Sequence, residues 1–101
     1  MRRITQRKQF RNDLKRQKRR GKNIEELISV VELLVEFGGL PEQYRPHKLS
    51  GEWKGVWECH VEPDWLLIYD VTSALDLRRH VRRSAAYPNP NAFRFIRLGD
   101  R

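Results

Sequence analysis

The sequence predicts an α+β domain in which two N-terminal helices pack on a twisted antiparallel β-sheet. Three observations predict it. Ile24, Leu27, Ile28, Val31, Leu34 and Val35 recur at helical spacing, residues 56–61 alternate in strand fashion instead, and Pro46 lies between the two regimes. At 101 residues the chain has room for a single domain with a small core.

Each element has its own reason. Residues 1–5 hold one strong apolar side chain after the start, Ile4, and read as a short first strand. Lys8 to Arg20 are mostly good helix formers, with Phe10 and Leu14 four apart on one face and Gly21 where a helix commonly stops. The second helix opens on Asn23, with Glu26 three residues on as a capping pair, and ends at Gly38-Gly39, with Pro41 beyond. Glu25, Glu32 and Glu36 fall on its wet side.

Beyond Pro46, Trp57, Cys59 and Val61 point one way while Val56, Glu58 and His60 point the other. Pro63-Asp64 interrupts the run. Trp65 to Val71 is apolar on both faces and so reads as a central strand, and Thr72-Ser73-Ala74 turns the chain into a third strand, Leu75 to Val81. After Arg83 no periodicity is usable, so residues 1–87 are taken as the domain and 88–101 as an irregular tail.

Charge is distributed unevenly. Residues 1–22 carry eleven basic side chains and one acid, residues 23–77 three and eleven, and residues 78–101 seven and one, giving a net charge of +8. If the two ends meet in the fold they form one positive face that attracts phosphates, with affinity falling as salt rises; the competing reading is a solvated surface without a partner. A hydrophobic fraction of 39% is too high for a disordered tail, and no apolar run is long enough for a membrane span or signal peptide. The lone Cys59 reads as a buried small hydrophobe of a cytoplasmic protein.

Polar chemistry collects between His47 and Tyr69. His47, His60 and Asp64 fall within eighteen residues, and His60 and Asp64 flank a Pro-containing bend, so their side chains are expected over one sheet face. Cutting an RNA phosphodiester without a metal needs a base for the ribose 2′-hydroxyl, an acid for the departing 5′-oxygen and positive charge around the phosphorane. Histidine, with an unperturbed pKa of about 6.5, serves either proton role; Lys48 and Lys54 supply charge. Plainer readings stand beside this one: surface histidines bonded to backbone, Asp64 as a turn residue, and Trp53, Trp57 and Trp65 as core rather than nucleobase platforms. A His, His, Asp metal site is disfavoured because no second His or Cys stands at close ligand spacing.

The run from Tyr44 to Tyr69 resembles the YafQ branch of the RelE superfamily of bacterial type II toxins. That pattern, H-x-L-x-G-x-W-x-G followed by H-V-x-P-D-W-x-L-I-Y, is filled at every fixed position, from His47 to Gly55 and from His60 to Tyr69. The resemblance implies a RelE-like fold and a ribosome-dependent endoribonuclease that cuts mRNA, needs no cofactor and is held inactive by a DinJ- or RelB-like antitoxin. It implies catalytic roles for His47, His60 and Asp64 and matches Trp65 to the aromatic beside the aspartate, expected at the RNA; Lys48, Lys54, Arg78 and Arg79 are expected there for their charge. Members usually close with R-T-G-T-H-[SA]-D-L-F. Here Leu77 to Ala85 stands in that place without the motif, leaving His80, or else Tyr87, as the substitute for the missing histidine. An inactive RNA- and antitoxin-binding relic is therefore the alternative to an active nuclease.

Overall fold

A computed structural model describes residues 3–51, 56–72 and 92–100. Its elements are strand β1 (Arg3–Gln6), helices α1 (Lys8–Arg19) and α2 (Ile24–Phe37), a 3-10 turn (Glu42–Tyr44), and strands β2 (His47–Lys48), β3 (Trp57–Glu62), β4 (Trp65–Thr72) and β5 (Ala92–Asp100). The α+β class and both helices agree with the sequence reading. Among the described residues no helix is long and apolar enough to cross a membrane.

The helix boundaries follow local chemistry. Asn23 Oδ1 accepts the Glu25 amide at 3.1 Å, closing the first turn of α2. At the other end Gly38 takes φ 78° and donates its N–H to the Leu34 carbonyl at 2.9 Å, a left-handed cap that a side chain would strain. The buried stripe of α2 is Leu27, Val30 and Leu34, rotated from the predicted one, so Ile28 remains 48% exposed. In α1 the inward face is Phe10, Asp13 and Gln17; three basic residues in the last turn, Arg16, Lys18 and Arg19, complement the helix dipole.

The five described strands run in the order β1-β5-β4-β3-β2. All neighbours are antiparallel except β1 and β5, which pair in parallel over Arg3↔Ala92 to Gln6↔Phe95, so the sheet is mixed rather than wholly antiparallel. A parallel neighbour requires a crossover, and the N-terminal strand reaches the far edge of the sheet because both helices intervene before β2.

The stretch read as an irregular tail is the largest correction. Residues 92–100 form β5, the strand between β4 and β1, and bury Phe93, Phe95, Ile96 and Leu98. A register shift lies opposite Ile68/Tyr69, which pair with Arg97 and Phe95, so Ile96 is the extra residue of a bulge. That bulge breaks the alternation by which a strand is recognised in a sequence. The expected strand Leu75 to Val81 lies outside the described residues.

Helices and sheet enclose one core. Phe10, Leu27, Val30 and Leu34 meet Cys59, Val61, Trp65, Leu67, Tyr69, Phe93, Phe95 and Leu98. Phe10 and Phe95 pack with ring centroids 5.2 Å apart, which brings the basic helix α1 against β5 with its Arg94 and Arg97. Some of the charge is neutralised internally among the described residues: Arg97 pairs with Asp13, Arg94 with Asp70, and Arg20 and Lys22 with Asp100.

Candidate active site

The odd residues of β3 enter the core, so the even ones, Glu58 and His60, project from the opposite face of the sheet. Edge strand β2 lies antiparallel to β3 with His47 directly across from Glu58. The two predicted histidines are thereby brought together, with ring centroids 6.4 Å apart.

Their ring nitrogens have different partners. His60 Nδ1 lies 3.1 Å from the Pro63 carbonyl. A carbonyl only accepts, so Nδ1 carries the proton, and Nε2 has no partner among the described residues. His47 Nδ1 lies 2.8 Å from the Arg45 carbonyl, and its Nε2 lies 3.0 Å from Glu58 Oε1. Both partners are acceptors, so the two bonds coexist only when each ring nitrogen bears a proton. The Arg45 carbonyl is aimed by a left-handed backbone, φ 50°, at the residue between the 3-10 turn and Pro46.

The bond to Pro63 leans the His60 ring toward the turn that carries Asp64, which is itself exposed. Two shallow grooves flank the histidines. One, of about 460 Å³, is lined by His60 and Tyr44 among others; the second, of about 650 Å³, reaches His47 and Pro46, and Arg45 borders both.

Two predicted RNA contacts are placed elsewhere. Trp65 has no exposed surface: it sits in the core, with the Lys22 ammonium 5.5 Å from its ring centroid, so no base stacks on it. The cause is parity, because Trp65 shares the inward face of β4 with Leu67 and Tyr69. Lys48 alternates with His47 on β2 and lies opposite Trp57; its ammonium sits 5.8 Å from that ring centroid, on the other face of the sheet from the histidines. His80, Tyr87, Lys54, Arg78 and Arg79 fall outside the described residues, as does Trp53. Among the described residues no three His, Cys, Asp or Glu side chains are grouped to hold a metal ion. Cys59 is fully buried, and burial, with Glu58 adding to it, pushes its thiol up to about 12, far from a nucleophile.

Sequence reasoning passed over Glu58 and Arg45 as site residues. Glu58 stands two before His60, the spacing that shares a strand face, and that signal was present; its bond to His47 depends on the β2–β3 register. Arg45 acts through its backbone and left no signal.

The family model described as bacterial toxin of type II toxin-antitoxin system, YafQ, matches residues 2–83. This chain belongs to the YafQ family of type II toxins. It is 41% identical over 68 residues to the mRNA interferase toxin YafQ of Escherichia coli K12, covering 66% of this chain and 74% of that protein. The crystal structure of the E. coli DinJ-YafQ complex matches with TM-score 0.75 at 33% identity, over 99% of this chain and 93% of that one. A metal-bound toxin from Helicobacter pylori matches with TM-score 0.75 at 30% identity, over 99% and 94%. The family model stops before β5, whereas these structural matches span nearly the whole chain.

Proposed function

We propose that this chain is an mRNA interferase that cuts ribosome-bound mRNA by metal-independent general acid-base catalysis. The observation that carries this reading is the histidine pair with unlike ring nitrogens. At 6.4 Å between centroids, both rings reach oxygens of one phosphate through bonds of about 3 Å. His60 Nε2, with its lone pair free, takes the proton from the ribose 2′-hydroxyl as that oxygen attacks phosphorus. His47 Nε2–H, released from Glu58 Oε1 as the substrate enters, delivers its proton to the 5′-oxygen as the bond from that oxygen to phosphorus breaks, leaving a 2′,3′-cyclic phosphate and a 5′-hydroxyl. Asp64, on the adjoining turn, orients substrate or His60. The grooves on either side of Arg45 give the RNA strand a path across the site.

The partner is a DinJ- or RelB-like antitoxin, as in the E. coli complex, which blocks this activity until released. Ribosomal RNA is the expected contact of the basic helix α1.

The relic reading keeps one observation in its favour: the described residues of β5 end on Asp100, engaged by Arg20 and Lys22, and carry no histidine. A single-turnover assay on ribosome-bound mRNA, read by primer extension, separates the two. Cleavage by the native chain, undiminished by a chelator selective for transition metals, and a loss of about 10²- to 10⁴-fold in His60→Gln support the nuclease. No cleavage beside intact ribosome binding supports the relic. Cleavage that vanishes with the chelator and returns with one added ion overturns the metal-independent mechanism.

A further inference from the structure

The groove beside His60 carries two carboxylates, Glu26 and Glu62, which repel phosphates at the edge of a site that cuts a phosphodiester. We infer that this groove takes the base of the nucleotide 5′ to the cut and selects guanine, with Glu26 as the specificity-determining residue; the inference rests on the nuclease reading and on His60 as the general base.

The lining suits a base better than a phosphate. Glu62 is already engaged, with Lys22 Nζ 3.8 Å from its carboxylate. Glu26 is held in the first turn of α2, where its amide donates to the Asn23 carbonyl at 3.0 Å, and its carboxylate has no partner among the described residues. Tyr44 packs against the core and lines the groove, so it forms a fixed aromatic wall; Gln43, on the same 3-10 turn, is exposed and brings an amide. Unpaired RNA bases are recognised by such sets, stacked on an aromatic ring and read along a hydrogen-bonding edge. Arg45, which borders both grooves, is left to meet the phosphate between them.

Which base enters follows from His60. It lines the same groove, and its free Nε2 takes the 2′-hydroxyl proton. The ribose that supplies this hydroxyl lies 5′ to the bond that breaks, so the base on that ribose is the one within reach of Glu26.

The carboxylate then sets the preference. It only accepts, through two oxygens side by side. Guanine alone among the four bases sets two N–H donors in parallel on its pairing edge, N1–H and N2–H, and its neighbouring O6 accepts from an amide such as that of Gln43. Adenine and cytosine set an amine beside an acceptor nitrogen, and uracil flanks its single N–H with two carbonyls, so each turns a lone pair toward Glu26. Mismatched polar groups of that kind are what a site rejects most strongly.

Four ribosome-bound mRNAs that differ only in the base 5′ to the cut, followed in single turnover by primer extension, test the assignment. The native chain should cleave the guanine substrate about 10- to 100-fold faster than the others, the usual worth of one two-point base contact. Glu26→Gln places a donor beside an acceptor, so guanine should lose its advantage by the same factor and adenine, whose amine and ring nitrogen match that pair, should become the preferred base. Glu62→Gln, with its carboxylate already engaged by Lys22, should keep the native order of bases.

Faster cleavage at adenine by Glu26→Gln supports the groove and shows at the same time that the variant is folded. A native chain that favours another base or none, an order unchanged in Glu26→Gln, an equal fall at all four bases, or a switch produced by Glu62→Gln instead overturns the role of Glu26 while the nuclease reading stands. No cleavage of any of the four by the native chain overturns the nuclease reading, and the guanine groove with it.

Discussion

Asp13 on α1 accepts the backbone N–H of Leu98 at 3.0 Å and the side chain of Arg97 at 2.7 Å, and so caps an edge of β5 that no described strand covers. Strand β1 pairs with β5 only from Ala92 to Phe95. Beyond that point the amide of Leu98 would be buried without an acceptor, and an open edge invites pairing with other chains.

Removing the cap should therefore destabilise the fold. Asp13→Ala leaves the Leu98 amide unsatisfied, at a cost of about 1–3 kcal/mol, while Arg97, half exposed, falls back on water. A total loss of about 2–3 kcal/mol is expected, with Asp13→Asn intermediate because its amide oxygen still accepts from Leu98. Urea midpoints of the three proteins check the order; equal midpoints for native and Ala variant would show that the edge amide finds water.

The same carboxylate makes stability depend on acid. Burial raises its pKa, but hydrogen bonds from Arg97, the Leu98 amide and Arg16, with the charge of Arg97, outweigh burial and hold Asp13 below its ordinary value of 3.8. The folded state thus resists protonation more than the unfolded chain does. The contribution is complete above the unfolded pKa of about 3.9 and is lost as pH falls through the lower folded value. Asp13→Asn should flatten the acid limb of a stability profile below about pH 5 and leave its shape near neutrality unchanged.

Trp65 is predicted to matter for folding and not for RNA. Trp65→Leu removes an aromatic platform but keeps an apolar core residue, and should cost about 2–4 kcal/mol in urea titration. A base stacked on the ring would be worth about 1–3 kcal/mol of binding. Ribosome affinity of the folded variant should instead match the native protein; a decrease of that size would mean the indole is exposed in the complex.

On α1, Lys8, Lys15, Lys18 and Arg19 are exposed and have no acidic partner among the described residues, unlike Arg16 and Arg20. They are among the cations of α1 left to meet phosphates, beside Arg11, whose side chain donates to the Gln6 carbonyl. A Lys15→Gln, Lys18→Gln, Arg19→Gln variant should bind ribosomes more weakly, and its log affinity against log salt should be shallower by about 1 for each phosphate it no longer reaches. An unaltered slope would direct attention to another face.

Features that depend on near neighbours were legible in the chain alone. Helix α2 is specified by its spacing, its Asn23 cap and its Gly38 stop, β3 by strict alternation, and β4 as a central strand by being apolar on both faces. His60 on the outward face of β3 was legible for the same reason, as was the burial of Cys59. The motif from His47 to Tyr69 was legible as pattern, without its geometry.

Features that lie across strand pairings emerged only in three dimensions. The β2–β3 register sets His47 opposite Glu58 and beside His60, and turns Lys48 to the other face. Trp65 is buried because β4 presents its odd residues to the helices, a choice of face that a strand apolar on both sides does not announce. β5 escaped notice because the bulge at Ile96 interrupts its period, and its partners, β1 and Asp13, stand more than eighty residues away in the chain. Local periodicity records which residues share a face; which faces then meet is settled by the cooperative burial of the whole core.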